Sequence, residues 1–418
     1  MSEASNQGHT VLADEKEQLI RKYERWNHEE ASVKLLKELF KELAVPFKNA
    51  GLKENDLECI LELVDPPKKE LEKLLDQGDL HAKWSTVMRG RPVEKAWLYE
   101  IVSNWRSGVD VDKFDYFKRD AHFLGITNPF RHDRFIASIK VVCDGGGVPT
   151  ISPPEKEQDS LRDNFVEIRK FLHSQAYSHK TSLKLANHMI DILMMMDEHV
   201  RIVGTGQSSL KMSEAALDVD PIAYLKLTDT FVEAHLLGCD PALETPRFEY
   251  ERRFIDRKLM RLIAGWDVPL PGEEFSLSAG ALKLPAGDDI ISEMLKDYES
   301  RDVVDTGCAK RNVLASELRC QVVRIHGGMG ERDPISRIHF HSKNAGAGVL
   351  ALAEGQAPPL RRRLFMFWNP AEEADTATLQ RLTQAFKSWA GRFIENHEEK
   401  AKRWPGSPQP RRRTLKMS

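Results

Sequence analysis

Residues Tyr99 to Ile126 read YEIVSNWRSGVDVDKFDYFKRDAHFLGI, and the fold is decided there. Gly108 ends one helical pattern, and Asp110 or Asp112 is placed to cap the next. In the helix that follows, Asp112, Tyr116 and Asp120 recur at steps of four, which keeps successive side chains within about 40° of one another. A carboxylate, a phenol and a second carboxylate then line one wall of a groove, an arrangement suited to a metal and a sugar hydroxyl. The same spacing also describes a solvated helix with i,i+4 charge pairs such as Asp115 with Arg119. The residues alone leave both readings open.

Further along, Arg169 to Lys180 read RKFLHSQAYSHK. On one helix, Arg169, His173, Tyr177 and Lys180 fall within about 80° of arc. Guanidinium offers a planar fork for phosphate oxygens and imidazole exchanges a proton near neutrality, so this second wall suits a phosphate chain. Its alternative is an amphipathic helix with a polar rim. His28, in Trp26-Asn27-His28-Glu29, opens the first amphipathic helix, the ordinary place of a cap neighbour. Arg257 and Arg261 are spaced i,i+4 on what reads as a basic helix, as surface charges or as two guanidinium groups for a phosphate. The glycine clusters around Gly145, Gly204 and Gly327 lack the strand-to-helix context of a phosphate-cradling loop and read as turns.

Apolar periodicity extends this helical style over the chain up to about residue 260. Helices are expected from Val33 to Leu43, and over Leu57–Leu75, Trp97–Val102, Phe114–Leu124, Leu161–Ala176, Leu183–Met195, Tyr224–Leu237 and Phe254–Ile263. Ser138–Ile151 is the exception, two apolar runs around Asp144-Gly145-Gly146-Gly147 that predict a hairpin. Residues 264–300 read as a connector, rich in Pro and Gly as far as 290. Over 301–396, strands at Gln321–Ile325, Arg337–Phe340 and Leu364–Trp368 and a helix near Leu379–Phe393 make a smaller α+β lobe. Residues 1–24 read as a polar N-terminus and 397–418 as a basic, disordered tail.

With 418 residues and 41% hydrophobic content, the chain has enough material for one large or two medium domains. A net charge of -3 gives no bulk reason to expect nucleic acid or membrane as the main partner. The N-terminus has no apolar stretch of signal-peptide type, and no run is long enough to span a bilayer, so a nuclear or cytoplasmic protein is expected. Five scattered cysteines without a CxxC pattern suggest neither a disulfide framework nor a thiolate zinc site.

These stretches resemble the sterile-alpha-motif-and-HD-domain deoxynucleoside triphosphate triphosphohydrolases, from about Arg25 to about Asn396. The resemblance is carried by WNHEEASV at Trp26, KAWLYEIVSN at Lys95, GVDVDKFDYFKRD at Gly108, LHSQAYSHK at Leu172, KLTDTFVEA at Lys226 and GMGERDPI ahead of Ser336. It implies a mainly α fold, with an HD-type helical domain over 25–263 joined to the α+β lobe. It implies hydrolysis of a dNTP to deoxynucleoside and triphosphate with a divalent metal (Zn, Fe, Mg or Mn), in homotetramers bridged by GTP and dNTP activators. On the same resemblance Asp112 is the last metal ligand and His28 the catalytic histidine. Lys113 and Arg169 contact triphosphate, Tyr116 and Asp120 read the sugar 3′-hydroxyl, and His173 and Tyr177 complete the pocket. The allosteric nucleotide site draws on Arg134, Lys156, His179, Lys180, Arg257 and Arg261.

The family builds its metal site from an early His, a His-Asp dipeptide and the late Asp, all but the last ahead of WNHEEASV. Only 25 residues precede Trp26 here, and the one His-Asp dipeptide, His132-Asp133, follows Asp112. The expectation is an N-terminally truncated or spliced chain whose single retained carboxylate leaves most metal coordination to water, so that hydrolysis is impaired. Ser178, Gln175 and Pro154 stand where the family has Gln, Arg and Arg, which bears on activator preference. Two other readings follow, a nucleotide-binding pseudoenzyme or regulatory oligomerisation partner, and an interaction protein that binds single-stranded nucleic acid through Arg361–Arg363 and the Arg411–Arg413 tail.

Overall fold

The sequence places its helix breakers and caps where the backbone turns. A computed structural model describes residues 26–268, 284–300, 311–329, 333–342, 350–352, 361–370 and 374–402. These residues fall into two compact units. One comprises Met1–Phe165, Ile190–Glu251 and Pro334–Gly355, the other Val166–Met189, Arg252–Asp333 and Gln356–Ser418.

The first unit is mainly helical. The helix expected over Leu57–Leu75 is two, Glu54–Val64 and Lys68–Asp76, because Pro66 and Pro67 interrupt the ladder between them. Leu71, Trp84, Met88, Tyr99 and Trp105 form a buried core with Cys59. At its edge the Tyr99 hydroxyl donates to Glu62 at 2.7 Å, and the same carboxylate accepts the backbone N–H groups of Arg89 and Gly90. The anticipated hairpin is present, Lys140–Cys143 antiparallel to Pro149–Ser152 with Val141 opposite Ile151. Asp144 shapes its turn by accepting from the N–H groups of Gly146 and Val148, both at 2.9 Å. Farther on, Tyr224–Leu237 is not one helix. Pro221–Tyr224 ends, and Asp229–Leu237 begins afresh with the Thr228 hydroxyl accepting from Phe231 N.

The second unit is α+β. Strand Arg361–Trp368 lies between Arg261–Val268 and Leu318–Ile325, antiparallel to both. Helices Gly287–Ser300 and Thr376–Lys402 supply Met294, Tyr298, Phe386 and Trp389 to the core that covers Trp266, Leu364, Met366 and Trp368. On the other face Phe365 and Phe367 pack with Met260, and Leu183 joins them.

Here the helix expected over Phe254–Ile263 is corrected. A π-helical turn ends at Ile255, Arg257 takes a left-handed backbone with φ 58°, and the strand begins at Arg261. A short continuous apolar run such as LIAGW, buried from Ile263 to Trp266, cannot be assigned by periodicity alone. Arg257 and Arg261 therefore share no helix face. The last helix continues to Lys402, past His397 where a tail was expected, whereas residues 403–418, 1–25 and part of the expected connector, 269–283, lie outside the described residues. Among the described residues no helix is long and apolar enough to cross a membrane.

Gly90 marks the tightest approach in the first unit, since an added Cβ there would lie 2.4 Å from the backbone Cα and N of Cys59. Backbone cannot swing aside as a side chain can. Gly90→Ala is expected to destabilise the fold by about 1–3 kcal/mol, read as a lowered midpoint in urea, and an unchanged midpoint would show that the two segments are not in contact.

Candidate functional site

Helix Val111–Leu124 starts at Asp110, whose carboxylate accepts from Lys113 N at 3.1 Å as an N-cap. Phe114, Phe117 and Ala121 form its buried side. Phe114 and Phe117 pack against Phe165 with ring centroids 6.0 and 5.2 Å away, and Phe130 and Phe135 join the cluster around Phe114. On the helical wheel those three positions cluster roughly 140–200° from Asp112, whereas Tyr116 and Asp120 lie within about 80° of it. The sequence periodicity thus puts Asp112, Tyr116 and Asp120 on the face away from the aromatic core. Asp112 is exposed, and Tyr116 and Asp120 are half-buried. The charge pair of the alternative reading exists beside them, Arg119 with Asp115 at 3.0 Å on the surface.

Lys113 is held rather than free, its ammonium 2.9 Å from the buried Asp110 carboxylate. Burial pushes the Asp110 carboxyl above its ordinary range, and Lys113 is the chief influence in the other direction. A phosphate bound at Lys113 would share that ammonium with Asp110.

His132 and Asp133 bond to each other at 3.1 Å at the start of helix His132–Ser138. Among the described residues no group of three or more His, Cys, Asp or Glu side chains is placed to hold a metal ion. The donors described around Asp112 therefore do not fit a resident divalent metal. His28, the first residue of helix His28–Glu42, is largely exposed and contacts Glu29 at 3.3 Å.

In the second unit, Arg169 donates through Nη1 to the carbonyl of His326. The helix bearing it widens to a π-turn over His173–Tyr177, which sets the His173 and Tyr177 rings edge to face at 5.0 Å. Ser178 then leaves helical geometry, and the next helix starts at Lys180 with His179 Nδ1 accepting from Thr181 N at 3.2 Å. Lys180 is thus on a different helix from Arg169, His173 and Tyr177. A π-turn leaves no signature in apolar spacing. Burial, with Arg169 and His326 adding to it, lowers the His173 pKa to about 4, so its imidazole is neutral at pH 7 and serves as a hydrogen-bond partner rather than a cation.

The residues expected at an allosteric site divide between the units. In the first, Arg134 donates from Nε and Nη2 to the buried Glu157 carboxylate at 3.1 and 2.8 Å, and Lys156 is exposed on the adjoining turn. In the second, Lys180 and Arg261 both act on Lys184, whose pKa is lowered by burial first and then by these two charges. Lys184 also lies over the Phe367 ring at 6.0 Å. Sequence reasoning passed over Lys184, since a lysine four residues after another on a helix reads as an ordinary solvated face. Arg257 is exposed at the bend before the strand.

No family profile matches the chain. Pairwise comparison does find relatives. The chain is 30% identical over 374 residues to the deoxynucleoside triphosphate triphosphohydrolase SAMHD1 of Danio rerio, covering 88% of this chain and 55% of that protein. It is likewise 30% identical over 384 residues to the Homo sapiens protein of the same name, covering 89% and 56%. Over most of its length the chain is similar to HD-domain dNTP triphosphohydrolases. A putative HD domain-containing protein of Acanthamoeba polyphaga mimivirus is also 30% identical, over 166 residues, 40% of this chain and 32% of that one. The chain spans about half the length of the curated SAMHD1 relatives it matches. This similarity accords with the mainly helical fold.

Two histidines make the fold acid-sensitive. His188 is buried, its Nε2 accepts the N–H of Met260 at 3.1 Å, and its pKa, like that of His173, is lowered to about 4. With an ordinary value near 6.5, the unfolded chain binds more protons than the folded one between pH 4 and 6.5. Their contribution to stability is full above that window and is lost as pH falls through it. The denaturation midpoint should fall from pH 6.5 to pH 4, and should fall less steeply in His188→Gln. An equal slope in the variant would remove His188 from this account.

Proposed function

We propose that the chain binds deoxynucleoside triphosphates, the substrate class in the names of its relatives, and that its triphosphohydrolase activity is impaired because the donors described around Asp112 do not make a metal cage. The observation that carries this is the outer face of helix Val111–Leu124, where Asp112, Tyr116 and Asp120 stand opposite the aromatic core and Lys113 sits on its buried Asp110 partner. By the family pattern, Lys113 contacts triphosphate while Tyr116 and Asp120 read the sugar hydroxyl. Arg169, His173 and Tyr177 are assigned as further substrate contacts, with His173 as a neutral hydrogen-bond donor or acceptor. Asp112 is assigned as the metal-facing carboxylate. The catalytic role of His28 is kept from the resemblance, although its side chain is exposed.

Regulation belongs to the same proposal. GTP or a dNTP would act as activator through Lys180, Lys184 and Arg261, three cations of the second unit, with His179 and Arg257 nearby in sequence, and through Arg134 and Lys156 in the first. A homotetramer and a nuclear or cytoplasmic location are part of it. Binding without hydrolysis, as a pseudoenzyme or regulatory partner, is the second reading. It is favoured by the donor set around Asp112, which holds no metal cage among the described residues. The single-stranded nucleic acid reading is weakened by Arg363, which is already bound to Asp267 through Nε at 2.6 Å and Nη2 at 2.9 Å. Arg411–Arg413 lie outside the described residues.

The test separates binding from chemistry. Isothermal titration with dGTP, followed by assay of triphosphate release with Mn2+ or Mg2+, should give binding that Lys113→Ala weakens roughly 10-fold or more, as expected for loss of a charge-assisted contact of about 1.5–3 kcal/mol. Saturable binding without release would select the second reading, and absence of binding by every dNTP would overturn the proposal.

A further inference from the structure

The first unit contains a small cavity of about 20 Å3, lined among others by Glu100, Asn104, Arg106, Ser107, Thr150 and Arg337. Two guanidinium groups reach it with donors left over. Arg106 is 2% exposed, and it spends Nε on Glu100 and Nη1 on Asp144, both at 3.1 Å, while Nη2 is buried without a hydrogen-bond partner. Arg337 gives Nη2 to Asp76 at 3.2 Å, and its Nη1 is buried and likewise unpartnered, 3.9 Å from Glu72 and so beyond hydrogen-bond reach. A buried N–H without an acceptor costs about 1–3 kcal/mol, more when charged.

We propose that this cavity is a built-in water site in which one water molecule accepts from Arg106 Nη2 and Arg337 Nη1. The volume is that of one water, which needs at least about 10–15 Å3 on this measure and two to four polar partners. The lining also offers acceptors, since the Ser107 hydroxyl and the Glu100 carboxylate border the same space. Two donors and at least two acceptors match the hydrogen-bonding of water. A halide ion, which only accepts, would lie beside the Glu100 carboxylate, and the two guanidinium charges at the cavity, Arg106 and Arg337, are already offset by Glu100, Asp144 and Asp76. Repulsion disfavours it there. The bridge would tie the turn that leads into helix Val111–Leu124 to the segment around Arg337, more than 200 residues later in the chain.

A high-resolution crystal structure of the full chain, with a second crystal soaked in bromide, tests this directly. The expected result is one water peak within hydrogen-bond distance of both Arg106 Nη2 and Arg337 Nη1, with no bromide anomalous signal in the cavity. Arg337→Met should lose that peak while leaving the Arg106 contacts to Glu100 and Asp144 in place. An empty cavity in the unsubstituted protein, or an anomalous bromide peak within it, would overturn the proposal, as would a water in the Arg337→Met protein at full occupancy in the same position.

Discussion

Arg106 lies in the interior of the first unit between two carboxylates that come from different elements. Glu100 ends the 3-10 helix Val93–Glu100, and Asp144 is the corner of the hairpin. Glu100 also accepts from the Thr150 hydroxyl at 2.8 Å and from Ile151 N at 2.9 Å, so it fastens the second hairpin strand as well. Removing one partner from such a buried pair costs about 3–5 kcal/mol, because it strands a charge that packing cannot solvate. Two carboxylates on one guanidinium leave excess negative charge, and burial pushes the Glu100 carboxyl above its ordinary range against the pull of Arg106. Everything that follows in the chain up to the site helix is hung from this arrangement.

The connection runs through Asn104. Its side chain accepts from the backbone N–H groups of Arg106 and Ser107, both at 3.0 Å, and donates to the Val109 carbonyl at 3.1 Å. Its own N–H meets Asp110 at 3.1 Å. Asp110 in turn caps the helix and holds Lys113. A residue that looks like a simple N-cap in the sequence is therefore the last member of a buried polar chain. The N-terminal end of the helix is fixed by hydrogen bonds, and its rotation is fixed by the Phe114 and Phe117 rings in the aromatic cluster, where each ring pair adds about 0.5–1.5 kcal/mol beyond area burial. Together these decide which way Asp112, Tyr116 and Asp120 face.

That face was legible in the sequence because steps of four translate directly into one side of a regular helix. The hairpin at Asp144 was legible for a similar reason, a glycine turn between two apolar runs. What escaped was whatever broke regularity or depended on contacts distant in sequence. The π-turn at His173–Tyr177 and the departure at Ser178 moved Lys180 off the helix of Arg169. The strand from Arg261 escapes because its short apolar run straddles the helix expected over Phe254–Ile263 and the connector expected from residue 264, and only pairing with Arg361–Trp368 decides the matter. The Arg106 cluster gave no signal at all, since Arg106 and Asp144 are 38 residues apart and these two residues and Glu100 look like ordinary surface charges. The family motifs reached the residues of the site without reaching the charges that hold it.

The cations expected at an allosteric site are physically of two kinds. Arg134 is already satisfied by Glu157, a carboxylate only 2% exposed, so an incoming anion has to compete with a partner that would be left buried and charged. Lys180, Lys184 and Arg261 stand in the opposite condition. Lys180 and Arg261 both raise the potential at Lys184, whose pKa is lowered by burial first and then by these two charges. Among the described residues no ion pair relieves any of the three. An anion placed among them would gain from all three charges and would restore Lys184 toward its ordinary value, so binding there takes up a proton at high pH. At Arg134 the same anion gains one shared charge and displaces another. The electrostatic driving force for a phosphate is therefore larger in the second unit, at the start of helix Lys180–Asp197 and the first residue of strand Arg261–Val268, than beside Glu157.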